Sequence, residues 1–197
     1  MRIVLATGNK GKLREFKQMC QDEVVAFSEL LGEFDIVEDG DTFASNALIK
    51  ARTIYEKLGE EYLVVSDDSG ISLPILDGAP GIYSARYAGV GATDLENLEK
   101  LLDALADVPE ENRSARFQCL MVYMRHADDP TPLICQGSWE GRILTAARGS
   151  NGFGYDPVFY VPTHNCASAE LAADIKNSLS HRGQALRQLV AALGHTG

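Results

Sequence analysis

Two adjacent aspartates follow a short apolar run near the middle of the chain. Asp67 and Asp68 follow the valine-rich residues 63–65 after one serine, Ser66, and precede Ser69 and Gly70. We interpret this segment as a buried strand that ends in a polar turn, because β-branched apolar runs form strands and Asp, Ser and Gly form turns. Carboxylates at a strand end can bind Mg²⁺ or orient a water molecule as a general base. The alternative is an ordinary Asp-rich turn.

A glycine-rich segment near the N-terminus has the composition of a phosphate-binding loop. It joins a hydrophobic strand predicted over residues 2–7 to a helix whose inner face carries Leu13, Phe16 and Cys20. Backbone N–H groups at a helix start, its positive dipole end and lysine ammonium groups can converge on a phosphate. The segment is not a Walker A loop, because Ala6 and Leu13 stand where Gly and Ser or Thr are required. The alternative is a glycine turn between solvated lysines. The loop consists of Thr7, Gly8, Asn9, Lys10, Gly11 and Lys12.

A second acidic segment precedes the most regular helical pattern in the chain. Glu38 stands before a helix predicted to begin after Asp41 or Thr42. An acid there can stabilise the helix N-terminus through its dipole, or it can complete a magnesium site with Asp68. Lys50 lies on the same helix and is by default a surface charge. The inner face of the helix, which stops at Gly59, consists of Phe43, Ala47, Ala51, Ile54 and Leu58.

Aromatic and basic residues gather in two segments of the last third of the chain. The glycines of residues 149–157 favour a bent, exposed backbone around Phe153 and Tyr155, and an exposed ring beside Asp156 suits a flat heteroaromatic base. The alternative is a β-bulge with packed aromatic residues. Three side chains before or at the start of the last helix can donate hydrogen bonds to a purine carbonyl or a phosphate. They are Lys176, His181 and Arg182.

The remaining patterns predict a mixed sheet with flanking helices. An antiparallel hairpin, combined with the strand–turn–helix unit at the N-terminus, indicates a sheet that is not purely parallel. Further strands are predicted over residues 24–27, 34–37, 142–145 and 158–161, and the hairpin over residues 115–124 and 133–139. Further helices are predicted after the capping box Thr93–Glu96, over residues 167–174, and from a cap at Ser178 or Ser180 to Gly194.

Composition excludes several classes of protein. The 197 residues, 45% hydrophobic and 23% charged, suffice for one well-buried core. A net charge of −10 argues against binding to a nucleic acid polymer. No apolar run approaches the roughly 18 residues of a membrane span, and residues 1–6 are too short for a signal peptide, so we expect a cytoplasmic protein without a membrane partner. The four cysteines lack zinc-site spacing and are interpreted as free thiols.

Taken together, these motifs resemble the inosine triphosphate pyrophosphatase family, in particular its bacterial dITP/XTP-type members. The similarity runs in order along essentially the whole chain. One departure is Ser45, where many relatives carry a glutamate, so a carboxylate is missing at that position. The motifs lie at residues 7–12, 38–51, 67–70, 78–86, 153–157 and 180–182.

The resemblance implies a fold, an activity and a cofactor. The expected fold is a single α/β domain over residues 1–197, elongated, with a mixed twisted sheet flanked by helices and a cleft between two lobes. The expected activity is Mg²⁺-dependent hydrolysis of non-standard purine nucleoside triphosphates (ITP, dITP and XTP) to the monophosphate and pyrophosphate. Members of the family are typically homodimers.

The resemblance also assigns roles to residues. Asp68 would be the proton acceptor and a metal ligand, and Glu38 a second metal ligand. The loop of residues 7–12 would hold the polyphosphate, with Ser69 and Lys50 as further phosphate contacts. The base would be enclosed by Phe153, Gly154, Tyr155, Asp156, Lys176, His181 and Arg182.

Two other functions are weighed against this one. A haloacid-dehalogenase-type phosphatase needs a second acid two positions after its nucleophilic aspartate, but Ser69 and Gly70 occupy those positions here. A noncatalytic nucleotide sensor would keep the phosphate loop and the base pocket, but it would have little use for acids at both Glu38 and Asp68.

Overall fold

The computed structural model describes residues 2–194 of the chain. The strands are β1 (Arg2–Leu5), β2 (Glu23–Ala26), β3 (Leu63–Ser72), β4 (Ser114–Tyr123), β5 (Leu133–Ile143), β6 (Phe159–Val161) and β7 (Cys166–Ala167). The helices are α1 (Lys10–Met19), α2 (Phe27–Leu31), α3 (Phe43–Leu58), α4 (Asp94–Ala104), α5 (Ala173–Leu179) and α6 (His181–Gly194).

These seven strands form one sheet in the order β2-β1-β3-β4-β5-β6-β7. β1 pairs in parallel with β2 and β3, which places Val4 opposite Val25 and Val64. β6 pairs antiparallel with both β5 and β7. The predicted mixed sheet of an α/β fold is therefore confirmed.

The chain divides into two compact units. The first comprises residues 2–68, 119–137 and 182–194, and the second comprises residues 69–118 and 138–181. The single domain, the elongated shape and the cleft stay predictions. No helix within residues 2–194 has the length and apolar character needed to cross a bilayer. The four cysteines are free thiols, as predicted.

In the first unit, apolar side chains of each strand alternate between two faces covered by helices. Leu5 packs in a cluster with Phe16 of α1 and Leu186 of α6. Val4 points the other way and packs in a cluster with Ile54 of α3. Because successive strand residues point to opposite faces, a polar residue in these strands must also face one helix layer or the other.

The second unit has an aromatic core. The rings of Phe117 and Phe159 lie 4.6 Å apart between centroids, and Trp139 lies 5.0 Å from Phe159. Ile71 of β3 and Leu101 of α4 complete the centre of this cluster. Trp139 is a buried core residue.

Several predicted elements differ from the observed ones. β3 does not end in a polar turn but continues through Asp67 and Asp68, because both carboxylates meet buried cations. The strand predicted over residues 34–37 is absent from the described chain; Phe34 packs on the core of the first unit without joining the sheet, and Val37 is 73% exposed. The strands predicted over residues 133–139 and 142–145 are the single strand β5.

The region predicted as a helix over residues 167–174 is also different. It contains the end of β7 and a 3₁₀ turn, Ser168–Glu170, and α5 begins only at Ala173. Other predicted starts are confirmed: Thr42 caps α3, and Thr93 with Glu96 forms the capping box of α4.

Candidate functional site

The loop before α1 exposes the first turn of that helix. Asn9 caps the helix, since its Oδ1 accepts a hydrogen bond from the Lys12 N–H over 3.0 Å. Thr7 Oγ1 in turn accepts a bond from the Asn9 N–H over 3.2 Å. Gly8 and Lys10 are exposed. N–H groups without helical partners and the positive dipole end suit an anion, so this geometry is compatible with the predicted phosphate contacts.

A cavity of about 550 Å³ opens beside this loop within the first unit. Residues 7–10 and Leu13 line one side of it, and residues 26–29 and 33–35 line the other. The second side carries the carboxylates of Glu29, Glu33 and Asp35. An anion in this cavity would therefore be attracted only by the loop side.

Asp67 and Asp68 point to opposite faces of β3. Asp67 shares the face of Val65, which packs in the cluster containing α1 and α6, and Asp68 shares the face of Val64, which packs with α3. Both side chains are buried, with 1% and 7% exposure. The two aspartates therefore have different partners although they are neighbours in sequence.

Asp68 and Glu38 are linked by the ammonium group of Lys50. Lys50 Nζ donates to Glu38 Oε2 over 2.8 Å and lies 3.4 Å from Asp68 Oδ1. Lys50 is buried rather than a surface charge. The second carboxylate oxygen of Asp68 is buried and has no hydrogen-bond partner among the residues that the structure describes. Its lone pairs are therefore available to a ligand.

The electrostatics of this group favour a proton acceptor beside a fixed cation. Burial raises the pKa of Asp68 above its ordinary value, although the charges of Lys50 and Lys12 oppose that shift. Burial also disfavours the charged form of Lys50, but the carboxylates of Asp68 and Glu38 outweigh burial and raise its pKa. Lys50 therefore stays protonated, and Asp68 binds a proton more readily than an exposed aspartate does.

The carboxylates of Glu38 and Asp68 suit Mg²⁺ better than a metal ion that takes all of its ligands from the protein. Among residues 2–194, no three His, Cys, Asp or Glu side chains converge on a common point. Mg²⁺ is usually held by one or two carboxylates, with phosphate and water oxygens as the other ligands. Glu38, with a half-buried carboxylate, and Asp68, with an unpartnered buried oxygen, supply that number.

On the other face of β3, Asp67 lies in a buried series of alternating charges. Its Oδ2 lies 3.1 Å from Lys12 Nζ and accepts a bond from Arg182 Nε over 3.4 Å. Arg182 also pairs through Nη1 with Glu15 of α1. Glu15, Asp67 and Arg182 are all buried. Opposite charges compensate one another here, which is the condition for burying ionised groups.

Asp67 and Arg182 of this series stay ionised at neutral pH. Burial works against ionisation of Asp67, but the positive charges of Lys12, Arg182 and Lys50 outweigh it and lower its pKa. Burial likewise opposes the charge of Arg182, whereas Asp67 and Glu15 raise its pKa. Asp67 is thus a fixed carboxylate, in contrast to Asp68.

Asp156 organises the glycine-rich loop of the second unit. Its Oδ2 accepts a bond from the Phe153 N–H over 2.9 Å and pairs with Lys176 Nζ, and its Oδ1 accepts a bond from Ser168 Oγ over 2.8 Å. Gly152 has a φ of +75°, and a Cβ there would lie 2.0 Å from Asp156 Oδ2. The carboxylate is therefore committed to holding the loop and Lys176.

The aromatic residues near this loop have different surroundings. Phe153 is half-buried, and Lys176 Nζ lies 5.1 Å from its ring centroid. Tyr155 is buried, and its hydroxyl donates to the Ser84 carbonyl over 2.7 Å. The imidazole of His181 stacks on Phe117, with centroids 4.7 Å apart and 6° between the planes. Tyr155 therefore braces the loop from the core, whereas Phe153 keeps part of its ring accessible.

The structure thus brings the predicted residues together in two groups, one in each unit. Sequence reasoning missed Glu15, whose signal was an acid three residues after Lys12 on the same helix, and Ser168, for which the sequence carries no signal. Ser69 is half-buried on β3 directly after Asp68, and Gly154 donates its N–H to Asp94 Oδ2 over 2.8 Å. The first group contains Lys12, Glu38, Lys50, Asp67, Asp68 and Arg182, and the second contains Phe153, Asp156 and Lys176.

The sequence closely matches bacterial proteins over nearly its full length. It is 57% identical over 195 residues to the dITP/XTP pyrophosphatase of Vibrio vulnificus (strain YJ016), covering 98% of this chain and 96% of the relative. It is 56% identical, with the same coverage, to the dITP/XTP pyrophosphatase of Vibrio cholerae serotype O1.

Solved structures and a family model agree with this match. The HAM1 protein from Coxiella burnetii superposes with a TM-score of 0.88 at 45% identity, covering 99% of both chains. The Staphylococcus aureus Ham1 protein superposes with a TM-score of 0.85 at 38% identity, covering 100% of both chains. The sequence model of the Ham1 family matches residues 3–192. The resemblance inferred from the motifs is confirmed, and the chain belongs to the Ham1 family.

Proposed function

We propose that the protein hydrolyses ITP, dITP and XTP to the nucleoside monophosphate and pyrophosphate. Relatives more than half identical to this chain are named dITP/XTP pyrophosphatases. The observation that carries the proposal is the buried carboxylate of Asp68, with one oxygen near Lys50 and the other unpartnered within residues 2–194. A carboxylate so placed can accept the proton of an attacking water molecule.

Glu38 and Asp68 would hold Mg²⁺ through their carboxylate oxygens. When bound, the ion would polarise phosphate oxygens and neutralise charge on the departing pyrophosphate. Mg²⁺ suits this site because two carboxylates flank Lys50 and because Asp68 Oδ2 has no hydrogen-bond partner within residues 2–194.

The residues of the first unit would bind the polyphosphate and activate water. The first turn of α1, with Lys10 and Lys12, would hold phosphate oxygens, and Lys50 would balance the charge that develops on them. Asp68 would orient the attacking water and remove its proton. Its raised pKa suits this role, because a base is most effective when its pKa approaches the working pH.

The residues of the second unit would select the base. The family resemblance also assigns Arg182 to base recognition. The partly accessible ring of Phe153 can stack on a purine, and Lys176 and His181 can donate hydrogen bonds to a 6-keto oxygen. Adenine presents an amino group there, so a donor would meet a donor and each unpaired buried group would cost about 1–3 kcal/mol. We also propose, from the family resemblance, that Ser69 contacts a phosphate and that Gly154, Tyr155 and Asp156 help to enclose the base.

Two further parts of the proposal rest on the family resemblance and on the sequence. We propose that the protein acts as a homodimer. We also propose that it acts in the cytoplasm, where the nucleotide pool that it would cleanse is found.

One assay separates the proposed enzyme from its alternatives. The protein is incubated with dITP or dATP and Mg²⁺, and pyrophosphate and orthophosphate are measured. We expect pyrophosphate from dITP and far less from dATP. Release of orthophosphate would indicate a phosphatase, and tight dITP binding without any product would indicate a nucleotide sensor.

A further inference from the structure

Glu38 lies in a segment without regular secondary structure, so its position depends on individual contacts. Residues 32–40 form neither helix nor strand. Phe34 and Ile36 pack against the core of the first unit, but Val37, directly before Glu38, is 73% exposed and adds no such contact. A ligand on such a segment is placed accurately only if polar contacts fix the backbone near it.

One such contact is made by Asn46 of α3. Its Oδ1 accepts a hydrogen bond from the Gly40 N–H over 2.9 Å, two residues beyond Glu38. Asn46 is 1% exposed. The orientation of the amide follows from this bond, because only the oxygen can accept from an N–H group. The nitrogen Nδ2 has no partner among residues 2–194.

The backbone at Gly40 lies directly against the first turn of α3. A Cβ at Gly40 would lie 2.3 Å from Ser45 Oγ and 2.8 Å from Asn46 Oδ1. Ser45 itself completes the capping box of α3, accepting a bond from the Thr42 N–H over 3.0 Å. The residue that departs from the family pattern therefore has a capping role in this chain.

Asn46 and Lys50 are four residues apart and share one face of α3. Asn46 holds the backbone of the acidic segment, and Lys50 holds the carboxylate of Glu38. Lys50 would exchange partners when a polyphosphate enters, whereas the bond between the neutral groups of Asn46 and Gly40 does not depend on ligand charge. The contact of Asn46 is thus the permanent one.

We propose that Asn46 is a positioning residue that holds Glu38 in place for metal binding by anchoring the Gly40 backbone. This proposal rests on the assignment of Glu38 as a metal ligand under the proposed function. Residues that orient metal ligands typically contribute about 10- to 100-fold to metal affinity.

The test compares Asn46→Ala with two other variants. Asn46→Asp keeps an acceptor for the Gly40 N–H. Asn97→Ala is the matched control, because Asn97 of α4 is also buried and its Oδ1 accepts from the Ala88 N–H over 2.7 Å. Gly40→Ala disturbs the same hydrogen bond from the side of the Gly40 backbone. It replaces Asn46→Ala as the test variant if Asn46→Ala does not fold.

Three quantities are measured. Hydrogen exchange at Gly40 should accelerate about tenfold in Asn46→Ala and stay slow in Asn46→Asp. The Mg²⁺ concentration for half-maximal dITP hydrolysis should rise about 10- to 100-fold in Asn46→Ala and Gly40→Ala, with little change in kcat at saturating Mg²⁺. Mn²⁺ affinity should fall in parallel; it is measured by electron paramagnetic resonance with a non-hydrolysable dITP analogue, which supplies phosphate oxygens without turnover. Asn97→Ala should change none of the three.

Unchanged Gly40 exchange or unchanged metal affinity in Asn46→Ala would overturn the proposal, as would an equal metal effect in Asn97→Ala. A wild-type protein that binds Mn²⁺ without hydrolysing dITP would refute the proposed function and leave the anchoring role testable by exchange and affinity. A wild-type protein that binds no Mn²⁺ would refute the metal-positioning role.

Discussion

The ammonium group of Lys12 lies 3.1 Å from the Oδ2 carboxylate oxygen of Asp67. A lysine of the predicted phosphate loop is thereby attached to the strand that carries Asp68. The fixed charge of Asp67 holds this lysine at the start of β3's acidic pair, and Arg182 shares the same oxygen. The structure therefore gives two adjacent aspartates different surroundings, in which the pKa of Asp67 is lowered and that of Asp68 is raised.

Replacing Asp68 by Asn should remove catalysis and leave the fold intact. The amide cannot accept the proton of water, and general-base catalysis typically contributes about 10²- to 10⁴-fold to a rate. We expect kcat for dITP to fall by at least that factor. Thermal stability should decrease little, because Glu38 still compensates Lys50 and burial already disfavours the charged carboxylate of Asp68. Near-normal dITP hydrolysis by a folded Asp68→Asn protein would refute the assignment of the base.

Replacing Asp67 by Asn should instead destabilise the protein. The change leaves Lys12 and Arg182 without the carboxylate that compensates them, and breaking a buried ion pair from one side typically costs about 3–5 kcal/mol. Denaturant unfolding followed by circular dichroism measures the difference. Arg116→Ala is a suitable control, because its pair with Glu140 is exposed and should matter little. Equal stabilities of the two variants would contradict the structural role of Asp67.

The carboxylate of Asp67 should also make the free energy of unfolding depend on pH in the acidic range. The pKa of Asp67 is lower in the folded protein than its ordinary value of 3.8, so below about pH 4 the unfolded chain binds a proton that the native state does not. Its stabilising contribution is therefore complete above that pH and is lost as the pH falls towards the folded pKa. Asp67→Asn should show a shallower loss of stability in this window. Parallel pH profiles for the wild type and the variant would refute the prediction.

Arg182→Ala should narrow the difference in kcat/KM between dITP and dATP if Arg182 reads the base. The structure also gives Arg182 a second role, because it binds Asp67 and Glu15. The two roles predict different results. If Arg182 only forms ion pairs, Arg182→Ala should lower kcat/KM for dITP and dATP by the same factor. Asp67→Asn, which breaks one of these pairs, should also lower both values by one factor. A dITP to dATP ratio that stays at the wild-type value would remove Arg182 from base recognition.

Two glycines of the loop around Phe153 form a matched pair for measuring the role of Asp156. Gly152 and Gly154 both have positive φ, of +75° and +59°, so alanine introduces backbone strain of about 1–2 kcal/mol at either position. Only at Gly152 would a Cβ strike the Asp156 carboxylate, and displacing a bonded buried carboxylate adds about 1–3 kcal/mol. Gly152→Ala should therefore unfold more easily than Gly154→Ala. Equal destabilisation would show that the position of Asp156 is not critical.

Much of the local structure follows from the sequence because it depends on neighbouring residues. The capping residues Thr42 and Thr93 bond to backbone groups within three residues, so their patterns predict the starts of α3 and α4. The order of the motifs along the chain likewise identified the family. The strand predicted over residues 34–37 failed because an apolar run does not show whether a neighbouring strand is available to pair with it.

The sequence by itself determined that Asp67 and Asp68 follow an apolar strand segment and that lysines lie near glycines in the N-terminal loop. Only the tertiary structure decided which cation each aspartate meets. Successive residues of β3 face different helix layers, so Asp67 reaches Lys12 and Arg182 while Asp68 reaches Lys50. Those partners come from helices as far apart in sequence as α1 and α6, and their distance in space is set by how the helices pack on the sheet.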